Sequence, residues 1–166
     1  REMVIDAGFD AIESATPYPL LDDTILFLGE IPRKTDFEKG WPLPHCQKDG
    51  KEVWDSIEDD SSLVMHLKDK GLVILSGCAH AGIVNTIQYA MEVTGVDRIH
   101  AVMGGFHLSG PLFEQIIDRT AEELQKLNPA YVIPTHCTGR KAIMAMEKQM
   151  PDQFILNMSG TKLTFA

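Results

Sequence analysis

From Gly71 to Met150 the apolar positions switch between two periods. Leu72–Leu75 is a short aliphatic run, as a buried strand requires. Ile83, Val84, Ile87, Ala90 and Met91 then recur at helical spacing, and Gly95 is a fitting stop. Ile99–Met103 predicts a second buried strand. Pro111 suits the first turn of a helix, and Leu112, Phe113, Ile116, Ile117 and Leu124 would continue it on one face. Tyr131–Ile133 predicts a third strand. Thr138 is placed to cap a helix carrying Ala142, Ile143 and Met146, with Pro151 just past its end. Phe154–Leu156 and Lys162–Phe165 predict closing strands. Strand–helix alternation at this period argues for an α/β fold built from βαβ units.

The first 62 residues have a different texture. Ile25–Leu28, inside Asp23–Glu30, predicts a strand. Around it lie Pro17, Pro19, Pro32, Pro42 and Pro44, with Trp41 and many charges. The polar loop Glu58–Ser62 leads into a further predicted strand, Leu63–Leu67. No strict internal repeat or low-complexity tract is visible. The chain reads as a single partial domain, 1–166, with an irregular part over 1–70 and a regular part over 71–166.

Composition narrows the field. At 166 residues, 44% hydrophobic and 23% charged, the chain is ordinary for a soluble globular domain. No run approaches the roughly 20 apolar residues of a membrane span. The net charge of −9 is uneven. Residues 1–70 carry 16 acids against 8 Lys/Arg, while 71–166 carry 8 against 7. Nothing resembles a basic footprint for nucleic acid. Cys46, Cys78 and Cys137 form an odd set without zinc-knuckle spacing. With no secretory signal, reduced thiols and a cytoplasmic home are the simpler expectation. A thiol redox role for Cys78 and Cys137 has no Cys-x-x-Cys to support it, and the sequence names no activating neighbour.

Candidate chemistry gathers after Gly71. His80 follows the first buried strand, His107 the second and His136 the third. Ligands in open α/β folds bind at the carboxyl ends of the strands. Successive parallel strands would therefore bring these imidazoles, 27 and 29 residues apart, to one edge. Convergent histidines point to a metal, with zinc, iron and manganese all open. Each histidine singly also fits a packing role. Cys78 and Cys137 flank the same edge and offer thiolates, or small buried side chains. His100 reads as a core or interface residue, and His45 and His66 as structural. Thr138, Gly139, Arg140 and Lys141 open the last helix, where free N–H groups and two cations could hold an anion. Capping and surface charge explain the same four residues.

Several of these stretches resemble a known family. Gly71–Asn85, with Ser76-Gly77-Cys78-Ala79-His80 at its centre, is similar to a signature of one branch of the metallo-β-lactamase superfamily. Gly104-Gly105-Phe106-His107-Leu108 and Pro134-Thr135-His136-Cys137-Thr138-Gly139 resemble two more. Gly29-Glu30-Ile31-Pro32-Arg33 and Phe37-Glu38 resemble the same branch upstream. The branch is named after the dihydropterin–ribofuranosylaminobenzene phosphate synthase of methanopterin biosynthesis. The resemblance implies the latter part of an αββα sandwich with a metal centre at the edge of two sheets. It implies His136 as the last metal-binding histidine, and a ligand at His80, with Cys78 as the alternative in the place of a bridging aspartate. It gives His107 a place beside substrate, as ligand, proton donor or supporting group.

One departure matters. The His-x-His-x-Asp-His motif that supplies most ligands in that superfamily does not occur in this sequence. The expectation is a metal-dependent hydrolase using one or two divalent ions, zinc first, on an anionic, phosphate-bearing small molecule. Two alternatives stand beside it: a synthase joining a pterin diphosphate to an arylamine, and a non-catalytic remnant serving as a binding or assembly module. Arg1 in place of a start methionine fits a chain cut from something longer. An apolar face open to a missing N-terminal segment, or to a second copy in a homo-oligomer, is the corresponding structural expectation.

Overall fold

The computed structural model describes residues 1–165. A one-turn helix, α1 (Glu2–Asp6), precedes β1 (Tyr18–Leu20) and β2 (Ile25–Phe27). β3 (His45–Lys48) and β4 (Lys51–Trp54) follow, then β5 (Ser62–Leu67) and β6 (Gly71–Ser76). The regular part continues with α2 (Ile83–Thr94), β7 (Ile99–Gly104), α3 (Ile117–Leu127), β8 (Tyr131–Pro134) and α4 (Arg140–Gln149). Six strands form one sheet in the order β1-β2-β5-β6-β7-β8. The first four pair antiparallel, and β6, β7 and β8 run parallel.

Helices α2, α3 and α4 pack on one sheet face. Leu72, Ile74, Val102 and Val132 point there from the strands, against Ile83, Ile87, Ala121, Leu124, Ala142 and Met146. The opposite face is thinner. Val73, Ala101 and Ile133 are buried on it, beside half-buried Met65, Leu67, Met103 and Tyr131. Ile155, Leu163 and Phe165 of the C-terminal segment supply part of its cover. His100 packs edge-on against Tyr131 and Phe165, with ring centroids 5.3 and 5.1 Å away. Leu75 is left 37% exposed, so the expected open apolar face is present but partly covered.

Four local expectations are corrected. Pro111 does not begin a helix. Gly110, with φ +90°, starts a turn whose carbonyl accepts the N–H groups of Phe113 and Glu114. A single 3-10 turn (Glu114–Ile116) follows, and α3 begins only at Ile117. Leu112 and Phe113 therefore line a cavity rather than a helix face. Thr138 does not cap α4. It ends a 3-10 turn (His136–Thr138), and Gly139 takes the cap position. Of the strand expected at Phe154–Leu156 only one bridge forms, Phe154 with Val132. Lys162–Phe165 forms no strand, because Leu163 and Phe165 lie across the sheet face instead of pairing at its edge. The β3–β4 hairpin was not expected. Its loop is Asp49-Gly50, both with positive φ, the conformation that a two-residue hairpin turn demands.

Adjacent residues of β6 test the two faces. Ile74 is fully buried and Leu75 is partly exposed. Ile74→Ala is expected to cost about 2–5 kcal/mol in urea unfolding, and Leu75→Ala under about 1 kcal/mol, since truncating a half-open side chain leaves no closed void. Equal losses would contradict the assigned faces.

Candidate metal centre

The parallel pairing brings three turns level at the carboxyl ends of β6, β7 and β8. Backbone hydrogen bonds join them. Gly105 N–H donates to the Gly77 carbonyl at 2.9 Å, and Thr135 N–H to that of Gly104 at 2.8 Å. The Ser76 hydroxyl donates to the Gly105 carbonyl at 2.9 Å. Thr138, fully buried, accepts the Phe106 N–H on Oγ1 at 3.1 Å. Its complete burial keeps Thr138 from the surface where an anion would bind.

Cys78, His136 and Cys137 meet at this edge. Their ligand atoms all lie within 4.8 Å of one another. Cys78 Sγ is 3.3 Å from His136 Nε2, and His136 Nδ1 is 2.8 Å from Thr135 Oγ1. The Cys137 thiol donates to the Cys78 carbonyl at 3.6 Å. Burial, and then the neighbouring Cys78, push the Cys137 thiol up to about 11. A bare backbone at Gly105 makes the meeting possible. A Cβ there would stand 2.5 Å from both Cys137 Sγ and His136 Nε2. Two thiols and an imidazole are a zinc-type donor set, so the residues present fit a soft divalent metal. The sequence favours packing for Cys137, yet its sulfur lies within reach of the same point as Cys78 and His136.

His80 stands outside that trio. Its backbone N–H donates to Asp60 Oδ2 at 2.7 Å, and Asp60 Oδ1 is 3.3 Å from Nδ1 without hydrogen-bond alignment. Asp60 Oδ1 also accepts the Cys78 N–H at 3.4 Å. One carboxylate thus ties down the whole Ser76–His80 turn. This role is hidden in the sequence, because Asp60 sits among acids that read as a solvated loop.

His107 is brought beside His80, ring centroids 4.4 Å apart, and is walled by Phe113 and Trp41. Its φ of +44° is strained for a residue with a side chain. Its Nδ1 is buried without a partner. Burial first, then His80, hold its imidazole below the usual histidine range, so it is neutral at pH 7. His80 and His107 line a cavity of about 190 Å³ with Phe37, Glu38, Phe106 and Phe113. Arg140 and Lys141 lie apart from it, exposed, at a shallower hollow with Ser109 and Glu114. Lys141 Nζ pairs with Glu114 Oε2 at 2.6 Å, so its charge is already partnered.

The upstream stretches find a role in holding α2. Glu38 is 4% exposed and accepts the N–H groups of Val84 and Asn85 at 2.9 and 2.8 Å. It caps the helix from 46 residues away. Gly82 lets it in, since a Cβ there would meet the carboxyl carbon at 2.2 Å. Asn85 Oδ1 accepts the N–H groups of Lys34 and Thr35, both at 2.8 Å. Arg33 donates to the carbonyls of Ser56 at 2.6 Å and His80 at 3.3 Å.

Known proteins share this arrangement of elements. No protein-family model matches the chain. It is 35% identical over 144 residues to a Methanocaldococcus jannaschii protein named 7,8-dihydropterin-6-methyl-4-(β-D-ribofuranosyl)-aminobenzene-5′-phosphate synthase, covering 85% of this chain and 48% of that protein. It is 34% identical over 142 residues to an uncharacterized protein of the same organism, covering 86% of this chain and 50% of the other. The crystal structure of Tm1679, described as a metal-dependent hydrolase of the β-lactamase superfamily, superposes with a TM-score of 0.77 at 26% identity. That match covers 94% of this chain and 58% of Tm1679. The chain belongs to the metallo-β-lactamase superfamily. It spans about half the length of the curated relatives it matches. The α/β fold is thus a metallo-β-lactamase fold, and the synthase branch is the one it resembles within that superfamily.

Glu38 gives a pH test of the clamp in this metallo-β-lactamase relative. Burial raises its carboxyl from 4.5 to about 7, outweighing the two N–H donors. The folded chain therefore holds a proton that the unfolded chain has lost between those values. Its contribution is full below about pH 4.5 and falls by about 3 kcal/mol as pH rises through 7. Glu38→Gln is expected to remove that slope. Urea unfolding of both proteins at pH 5 and pH 8 measures it, and parallel profiles would contradict the assignment.

Proposed function

We propose that this protein is a metal-dependent enzyme acting on an anionic, phosphate-bearing small molecule at the edge where Cys78, His136 and Cys137 meet. The convergence of those three donors within 4.8 Å carries the reading. Zinc suits them best, with iron and manganese less matched to two sulfurs. A divalent metal held there would supply a Lewis acid for a phosphoryl or carbonyl oxygen and for water.

The chain's own groups define the rest of the site. His107 offers a neutral imidazole with an unpartnered Nδ1, suited to accept or share a proton with substrate. His80 stacks behind it and Asp60 fixes the turn that carries His80. Phe37, Phe106 and Phe113 line the cavity beside them. Gly139 and Arg140 at the start of α4 offer an N–H group and a cation to an anionic substituent, while Thr138 and Lys141 are engaged elsewhere. No helix among the described residues is long and apolar enough to cross a membrane. Three free cysteines suit a reducing, cytoplasmic setting.

Two reactions fit this site. Hydrolysis agrees with the description of Tm1679. Condensation agrees with the name of the 35%-identical relative, and it has at least equal support. In it, a pterin diphosphate would lose pyrophosphate to an arylamine, the new C–N bond replacing the C–O bond. Pyrophosphate released from such a diphosphate only when an arylamine is present would favour the synthase. Release with water alone would favour the hydrolase.

Metal content tests the reading that both reactions share. The purified chain is expected to hold about one tightly bound zinc per molecule. His136→Ala is expected to lose it, while His100→Ala keeps it. Elemental analysis of the three proteins reads the outcome. A native chain that takes up no metal would favour the remnant reading, and full metal in both variants would overturn the ligand assignment.

A further inference from the structure

The two cysteines at the edge come from strands that are not neighbours. β7 lies between β6 and β8, so the ends that carry Cys78 and Cys137 start about 9–10 Å apart. Gly105 at the end of β7 leaves the space between them clear, and the sulfurs meet within 4.8 Å across it. Cys78 Sγ is hydrogen-bonded to His136 Nε2 at 3.3 Å, and Thr135 Oγ1 holds the other ring nitrogen at 2.8 Å. A nucleophilic atom, an imidazole and a group that orients the imidazole are the parts of an activated cysteine. The third cysteine, Cys46 on β3, has none of these neighbours among its described contacts.

We propose that Cys78 and Cys137 are an oxidation site, at which a hydroperoxide converts the two thiols to a disulfide in two steps, Cys78 reacting first. The Cys78 sulfur attacks one peroxide oxygen, the O–O bond breaks, and the other oxygen leaves with a proton as water or an alcohol. The sulfur is oxidised by two electrons to a sulfenic acid and the peroxide is reduced by two. The Cys137 sulfur then attacks the Cys78 sulfur. The S–S bond forms, the S–O bond breaks, and the hydroxyl leaves with the Cys137 proton as water. Closing to a bond of about 2.05 Å requires the turns that carry the two cysteines to bring their Cα atoms within about 7 Å, inside the separation of the strand ends. A dithiol reductant reverses the change.

The inference stands apart from the metal reading, although the same sulfurs serve both. Bound metal would shield the pair, so the test uses the full chain after chelation. It is treated with a small excess of hydrogen peroxide, alkylated and mapped by mass spectrometry. The expected result is a Cys78–Cys137 crosslinked peptide lighter by two hydrogens, with Cys46 still free to alkylate and with reversal by dithiothreitol. Cys137→Ser should stop at a sulfenic acid on Cys78 that dimedone traps. His136→Gln should slow the reaction at least about tenfold. Oxidation of Cys46 as fast as Cys78, or a sulfinic acid on Cys78 with Cys137 still free, would overturn the inference. A crosslink in a chain that binds no zinc would leave this proposal standing and sink the metal reading. Zinc binding without a crosslink in the chelated chain would do the reverse.

Discussion

Parallel pairing of β7 with both β6 and β8 is the constraint from which the site follows. It sets three strand ends at one level, and each end turns sharply away from the sheet. The N–H groups of Gly105 and Thr135 donate to the carbonyls of the preceding strand ends. Those bonds fix where Cys78, His107 and His136 begin. The fixed starting points then leave few ways to fill the gap over β7. A glycine at 105 is required there, because any side chain would collide with Cys137 and His136. Loss of the parallel register would separate the donors by the width of a strand.

A second set of contacts ties the acidic first part of the chain to this edge. Glu38 accepts the Asn85 N–H at the start of α2, Asn85 Oδ1 accepts the Lys34 N–H, and Arg33 reaches the carbonyl of His80. Asp60 does the same for the turn before it. The arrangement is costly for Glu38. Two N–H donors do not offset its burial, and its carboxyl sits near neutrality. The helix start is therefore held by a group whose charge changes within the physiological range. The turn carrying His80 lies directly upstream of that helix, so the clamp and the cavity share one segment of backbone.

Much of the regular half was legible because its chemistry is local. β6, α2, β7 and β8 follow from aliphatic runs and helical spacing, and Gly95 ends α2 with φ +67°. Histidines just after such strands had to gather at one edge. What the sequence hid depends on distant partners. Glu38 looks like a surface acid until Val84 and Asn85 are placed beside it. Asp60 looks like part of a solvated loop until His80 arrives. Thr138 has the chemistry of a cap but is drawn inward by the Phe106 N–H. The family resemblance favours His80 over Cys78 as a donor, whereas the structure groups Cys78 with His136 and Cys137. The β3–β4 hairpin was within reach, since Asp49-Gly50 is a known turn signal, but the surrounding charges and prolines masked it.

The proposed metal site is a sulfur-rich donor set at the ends of β6 and β8. X-ray absorption at the zinc edge of the zinc-loaded chain tests it most directly. Two sulfur atoms at about 2.3 Å and at least one imidazole nitrogen at about 2.0 Å from the zinc are expected. A shell of nitrogen and oxygen alone would contradict it.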